Sequence, residues 1–120
     1  VADFVDNIID NAATIAATAN SPAFTRPSAN NEGQHKVIFL AFIGAAPTGT
    51  APTLTYKLQS SLDGVVWHDV SSTAALNTNQ QTARLEANAL EPQWRVVKTI
   101  GGSASPTFTL VTSHLLFPKS

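Results

Sequence analysis

Few residues in this chain are placed to do chemistry. Three histidines, His35, His68 and His114, are of the type that binds metals or acts as a general base near neutral pH. They lie far apart in the chain, and no cluster of carboxylates accompanies them, so a metal-ligand spacing is lacking. Serine, histidine and aspartate all occur, but no G-x-S-x-G elbow presents a nucleophile. Asp63 and Asp69 flank Trp67. Two carboxylates become an acid and a base only where a cleft drives their pKa values apart, and Asp63, followed by Gly64, reads instead as a turn residue. Gly101-Gly102 precedes a strand pattern rather than a helix, so it cannot cradle a phosphate at a helix N-terminus. The expectation is a protein that is not an enzyme and carries no metal or cofactor. Trp67 and Trp94 admit two roles, a stacking platform for a sugar or an anchor in a core. Each sits in a strand pattern among valines, and core anchoring with the indole N–H on a backbone carbonyl is the preferred reading.

Composition narrows the partners. The charged fraction is 12%, about half of the roughly 25% usual for soluble domains. Threonine, serine, alanine and asparagine occupy the place of lysine and glutamate. A polar but weakly charged surface suits a chain that packs against other protein, because interface cores are depleted in charge; an ordinary secreted β domain is the plainer alternative. With a net charge of −1 and Arg26, Lys36, Lys57, Arg84, Arg95, Lys98 and Lys119 scattered, nucleic acid is not expected as a partner. Cysteine is absent, which excludes disulfides and thiolate metal sites within the chain. No stretch reaches the roughly 18 to 20 apolar residues that span a bilayer, and no membrane partner is expected. Residues 1–20 lack the basic start and long apolar run of a secretory leader.

The elements that would hold any site are strands. The central stretch is residues 53–70, TLTYKLQSSLDGVVWHDV. Leu54, Tyr56 and Leu58 alternate with Thr55, Lys57 and Gln59, the period of a half-buried strand. Asp63-Gly64 supplies a hairpin turn, and a second apolar run leads back, with Tyr56 and Trp67 expected to face one core. KVIFLAFIG at 36–44 is a continuous apolar run and reads as a strand buried on both faces. A short strand is expected around 74–76, and in QTARLEA at 81–87 Arg84 and Glu86 flank an inward Leu85. QWRVVKTI at 93–100 contains Trp94, GGSASP at 101–106 is the clearest turn, and TFTLVTSHLLF at 107–117 is the last strand, with Phe108 and Leu110 on one face.

Residues 1–35 differ from the rest. Val5, Ile8, Ile9, Ala12 and Ile15 form a fair helical stripe, opposed by the asparagines, aspartates and β-branched residues around them. The preferred reading is an extended arm, then a strand at about 14–19 with SPAFT returning, then a polar loop at 26–35. Phe4, Val5, Ile8, Ile9 and Ile15 would be its contact residues toward another protein subunit; the alternative is an arm that closes an edge of its own sheet. Several short strands separated by Gly, Pro and Asn turns predict an all-β antiparallel β-sandwich or jelly roll with an extended N-terminal arm. The division is 1–35 for arm and first strands and 36–120 for the core, one domain overall. Tyr56, Trp67, Trp94 and Phe108 are the expected core anchors, and Asp63 and Gly64 the hairpin turn.

Gln59-Ser60-Ser61, Asp63-Gly64, Trp67 and Val70 spell Q-S-S-x-D-G-x-x-W-x-x-V. This resembles a motif of the small β-sandwich and jelly-roll proteins that decorate or cement tailed-phage capsids. It is also similar to an S-x-D-G-x-x-W hairpin of discoidin-like carbohydrate-binding domains. WRVVKTI followed by GGSASPTFTL looks like the phage group, and NIIDNAATIAATANSPAF before a buried strand is similar to it as well. Discoidin-like domains are usually longer, with ligand residues on loops that have no match here. The resemblance implies a virion structural protein on the capsid exterior, present in the host cytoplasm during assembly, with the major capsid protein as partner and self-association as a dimer or trimer. It would stabilise junctions between capsid subunits, and deletion of residues 1–11 would weaken binding while leaving the fold intact. The alternatives are a carbohydrate-binding module of a tail or fibre and a tail or adaptor component.

Overall fold

The computed structural model describes residues 4–25, 36–88 and 91–118. Among them there are no helices. The strands are β1 (Phe4–Ile15), β2 (Ala19–Asn20), β3 (Phe24–Thr25), β4 (Lys36–Ile43), β5 (Thr48–Ser61), β6 (His68–Ser72), β7 (Thr82–Asn88) and β8 (Gln93–Pro118). Every pairing between them is antiparallel. The result is an all-β antiparallel sheet nearly closed into a barrel-like shape, 48 × 34 × 19 Å.

β8 is the spine. Its first half pairs with β5 on one side, from Ser61↔Gln93 to Thr48↔Thr107, and with β2 and β3 on the other. Its second half pairs with β4, from Ile43↔Val111 to Ile38↔Leu116, and with β1. Thus β4 and β5 form one continuous line along β8, and β1 to β3 form another. A further line flanks β4 and β5: β6 pairs with β5, Leu76 bridges Leu54, Gln80 and Gln81 bond to Ile43, and β7 pairs with β4. The sheet is therefore four long lines, β8 continuous and the other three broken near the middle, bent so that its two halves pack face to face.

The expected turn at 101–106 is this bend. GGSASP does not reverse the chain; it runs on within β8, paired with the start of β5 through two register shifts. Gly102 has φ 108°, and a Cβ there would lie 2.6 Å from the Ala51 carbonyl oxygen. Only glycine tolerates both the backbone conformation and the close approach. Ala51, Ala104 and Ser105 also have positive φ. Small residues and proline serve a bulged corner as readily as a reversal, so local composition does not separate the two.

Inside the bend lie Val37, Phe39 and Ile43 of β4, Leu54, Tyr56 and Leu58 of β5, and Trp94, Val96, Phe108, Val111, Leu115 and Phe117 of β8, all buried. The rings of Phe39 and Tyr56 meet across the two halves at 4.9 Å between centroids. β4 is not buried on both faces as its apolar run suggested. Its odd-numbered residues point inward while Leu40 and Phe42 are exposed, because no further layer covers the outer face of its half of the sheet. Phe108 and Leu110 do not share a face either. Leu110 has φ 52° and forms a bulge, with its carbonyl accepting from Gly44 N–H at 2.9 Å. The extra residue shifts the alternation, so Phe108 and then Val111, Ser113 and Leu115 face inward while Leu110 is exposed.

The N-terminal arm is corrected as well. Residues 4–15 pair with β8 from Phe4↔Pro118 to Ile15↔Phe108. SPAFT does not return against a strand at 14–19; β2 and β3 continue along β8, with Ala19 opposite Lys98 and Phe24 opposite Trp94. Ile15 is buried in the core and Val5 and Ile9 pack against it, so of the expected contact residues only Ile8 shows an exposed side chain; for Phe4 the position is its pairing with Pro118. Free β8 backbone and apolar β1 side chains satisfy each other, and that gain favours docking over a solvated arm. The 26–35 loop lies outside the described residues. Deletion of residues 1–11 is thus expected to abolish the cooperative unfolding transition, followed by circular dichroism. A shortened chain that still melts cooperatively near the full-length temperature would contradict the pairing.

Candidate functional site

The one buried carboxylate of the described residues, Asp10, sits where the two halves of the sheet meet, 4% exposed. Its Oδ2 accepts from the Tyr56 hydroxyl at 2.9 Å and from the Ser113 hydroxyl at 2.8 Å. Its Oδ1 accepts from Lys98 Nζ at 2.9 Å. Three strands thereby converge on one side chain: β1 supplies Asp10, β5 supplies Tyr56, and β8 supplies Lys98 before its corner and Ser113 after it. Burial, then the charge of Asp10 and the hydrogen bond to it, push the Tyr56 hydroxyl far above the ordinary tyrosine value. Asp10, Tyr56 and Ser113 are all enclosed in the core. The cluster's chemistry is that of a clasp. Sequence reading missed it because Asp10 lies in the stretch taken for an arm and alternates in step with exposed Ile8; the register shift between Ile8 and Asp10 turns it inward.

The remaining candidates fall apart in space. His68 is exposed on β6, and His114 Nδ1 lies 2.9 Å from Asp6 on the outer face of β8; His35 is outside the described residues. No group of three or more His, Cys, Asp or Glu among the described residues could hold a metal ion. Tyr56, Trp94 and Phe108 are buried, and Trp94 donates its indole N–H to the Glu91 carbonyl at 2.8 Å. Trp67 is not a core residue. It lies half-buried on the outer side of the hairpin with the Arg95 guanidinium 4.4 Å from its ring. Arg95 in turn bonds Gln59, and Gln59 bonds Asp69; with Lys57 this amide holds the Asp69 carboxyl below the usual range. The reason is the pleat: Lys57, Gln59 and Arg95 point outward, and Trp67 covers them rather than Tyr56.

Two exposed apolar areas are more distinctive. One is the tip of the β5–β6 hairpin, where Leu62, Val65 and Val66 are 75%, 78% and 57% exposed. Their backbone is fixed: Asp63 accepts from Val65 N–H and Val66 N–H at 2.9 and 3.0 Å, and Gly64 N–H, at φ 80°, donates to Ser61 Oγ. These amides, Val65 first, hold the Asp63 carboxyl below the usual range. The other is an open groove of about 710 Å³ on the outer face of β4, β7 and β8. Leu40 and Phe42 give it an apolar floor, and Thr82, Arg84, Thr112 and His114 stand beside them on the same face.

No family model matches the chain, and no curated protein matches it. Among solved structures it is similar to part of dimeric latent PorU from Porphyromonas gingivalis, at 11% identity and a TM-score of 0.46. The match covers 99% of this chain and 13% of that one.

Removing Asp10 would leave Lys98 half-buried without its partner and two buried hydroxyls without an acceptor. Asp10→Ala is expected to cost about 3–5 kcal/mol in urea unfolding, and adding Lys98→Met should recover a large part of that loss. Tyr56 is the one tyrosine of the chain, so ultraviolet absorbance of tyrosinate reads it alone. The folded chain keeps a proton that the unfolded chain releases above about pH 10, so stability falls as pH rises past that value. Tyrosinate is expected to appear together with unfolding, not as a separate titration of folded protein.

Proposed function

We propose that this chain is a virion structural protein of the cement or decoration type, of β-sandwich or jelly-roll architecture, which binds the outer surface of a tailed-phage capsid. The observation that carries the reading is the pair of separate apolar surfaces, hairpin tip and outer-sheet groove, on a clasped module that is poor in charge. Contiguous apolar surface kept in water marks a place where protein will cover it. Two such places on one rigid body allow contact with two neighbours. A chain seated over a junction between major capsid protein subunits then resists their separation, since its own contacts must break with theirs. The resemblance of Gln59-Ser60-Ser61, Asp63-Gly64 and Trp67 to capsid-cementing proteins supports the same reading.

Binding of this kind needs no catalytic group, cofactor, nucleic acid or membrane. Copies self-associate on the particle as dimers or trimers, after assembly in the host cytoplasm. A carbohydrate-binding role would call for an open aromatic platform, whereas Trp94 is buried and the ring of Trp67 carries Arg95. Cryo-electron microscopy of the native particle tests the proposal. Density for the bent sheet on the outer capsid, at subunit junctions, with tip and groove covered by capsid protein or by neighbouring copies, is the expected result. Density confined to the tail, or absence from the particle, would overturn it.

A further inference from the structure

The two apolar surfaces complement each other. The tip is a knob: Leu62, Val65 and Val66 project from a turn locked by Asp63 and Ser61, with the Asp63 carboxylate at its centre. The groove is a receptor of opposite character, with Leu40 between Arg84 and His114 and Phe42 between Thr82 and Thr112. We infer that the hairpin tip of one copy of this chain seats in the outer-sheet groove of a second copy, its apolar side chains on Phe42 and Leu40 and its Asp63 toward Arg84.

Three observations select a second copy as the occupant. The first is charge: Asp63 and Asp69 are the carboxylates of 60–70, which has no lysine or arginine, whereas the groove is flanked by Arg84. That tip suits an apolar groove edged by an arginine and does not suit an anionic lipid surface. The second is that the groove cations are open to exchange. Arg84 pairs with Glu86 at 3.2 Å and His114 with Asp6 at 2.9 Å, and all four side chains are substantially exposed. Such surface pairs are worth roughly 0–1 kcal/mol, too little to refuse a new carboxylate that arrives with apolar burial. The third is reach. β5 is bonded along its length to β8 and over its last residues to β6, which fixes the tip at the end away from the corner. Phe39 faces Tyr56 across the core, so Leu40 and Phe42 open to the opposite side. The tip cannot enter the groove of its own chain.

Because tip and groove are different surfaces, the contact is heterologous. Each pair keeps one free tip and one free groove, so association continues into rings, a trimer being the smallest, or into rows rather than stopping at a symmetric pair. The inference rests on the self-association within the proposed function, but it is read on the isolated chain; failure here leaves capsid binding standing, and failure of capsid binding leaves this contact standing.

Sedimentation of the isolated protein tests it. Wild type is expected to show a weight-average mass that rises with concentration beyond that of a dimer. A tip variant, Leu62→Ser with Val65→Ser, should remain monomeric, and so should a groove variant, Phe42→Ser. Arg84→Glu, at an exposed position, serves as a second groove variant that does not disturb the fold. An equimolar mixture of tip and groove variants should recover a one-to-one dimer and nothing larger, since it retains one intact tip facing one intact groove. A wild type that stays monomeric, a mixture that fails to pair, or a tip variant that associates like wild type would each overturn the inference. So would a monomeric wild type that co-sediments with phosphatidylcholine vesicles through its tip, which would make a lipid surface the occupant.

Discussion

An ionised carboxylate taken out of water must be met by donors, and Asp10 meets its donors only when three long lines of strand are in place together. Tyr56 comes from β5, Lys98 and Ser113 from the two sides of the β8 corner, and Asp10 itself from β1. Breaking any one contact leaves a polar group buried without its partner, which costs more than the contact contributes to stability. The clasp therefore acts less as a source of stability than as a constraint on arrangement. A register slip of one residue in β1 would turn Asp10 to the solvent side and an apolar neighbour away from the core.

That constraint makes sense of the corners. A flat sheet with lines this long would expose an entire apolar face. Bending it across the middle lets each half cover the other, and the Phe39–Tyr56 contact and the Asp10 clasp both span the bend. The cost is backbone held in uncommon conformations. Gly102 and Gly44 provide the close approaches, while Ala51, Ala104, Ser105 and Leu110 accept positive φ. Such residues persist only where the surrounding structure over-determines them, and here the long pairing on both sides of β8 does so.

Once the sheet has bent on itself, its outer faces have nothing left to cover them. Leu40 and Phe42 remain in water on one half, and Trp67 shelters under Arg95 on the other. The hairpin tip extends past both with three apolar side chains on an anchored turn. The functional proposal and the contact between copies both begin from this: an interior that is complete and a surface that keeps apolar groups at defined positions.

Strand character was readable from the sequence at Tyr56, Trp94 and Phe108 because alternation has a period of two and needs no knowledge of the rest of the chain. The Asp63-Gly64 turn was readable for the same reason: positive φ at Gly64 and an aspartate that caps its own turn are local chemistry. The low charge and absent cysteine likewise follow from composition alone. Tertiary structure decided everything that depends on which segment lies beside which. GGSASP could be a reversal or a corner until β5 paired alongside it. KVIFLAFIG could be buried on one face or two until it was settled that no layer covers Leu40 and Phe42. The first fifteen residues could extend into solvent until β8 offered its free edge, and Asp10 could be an ordinary surface aspartate until Tyr56, Lys98 and Ser113, distant in sequence, closed around it. Periodicity is a short-range property of the chain, whereas pairing and burial are long-range ones.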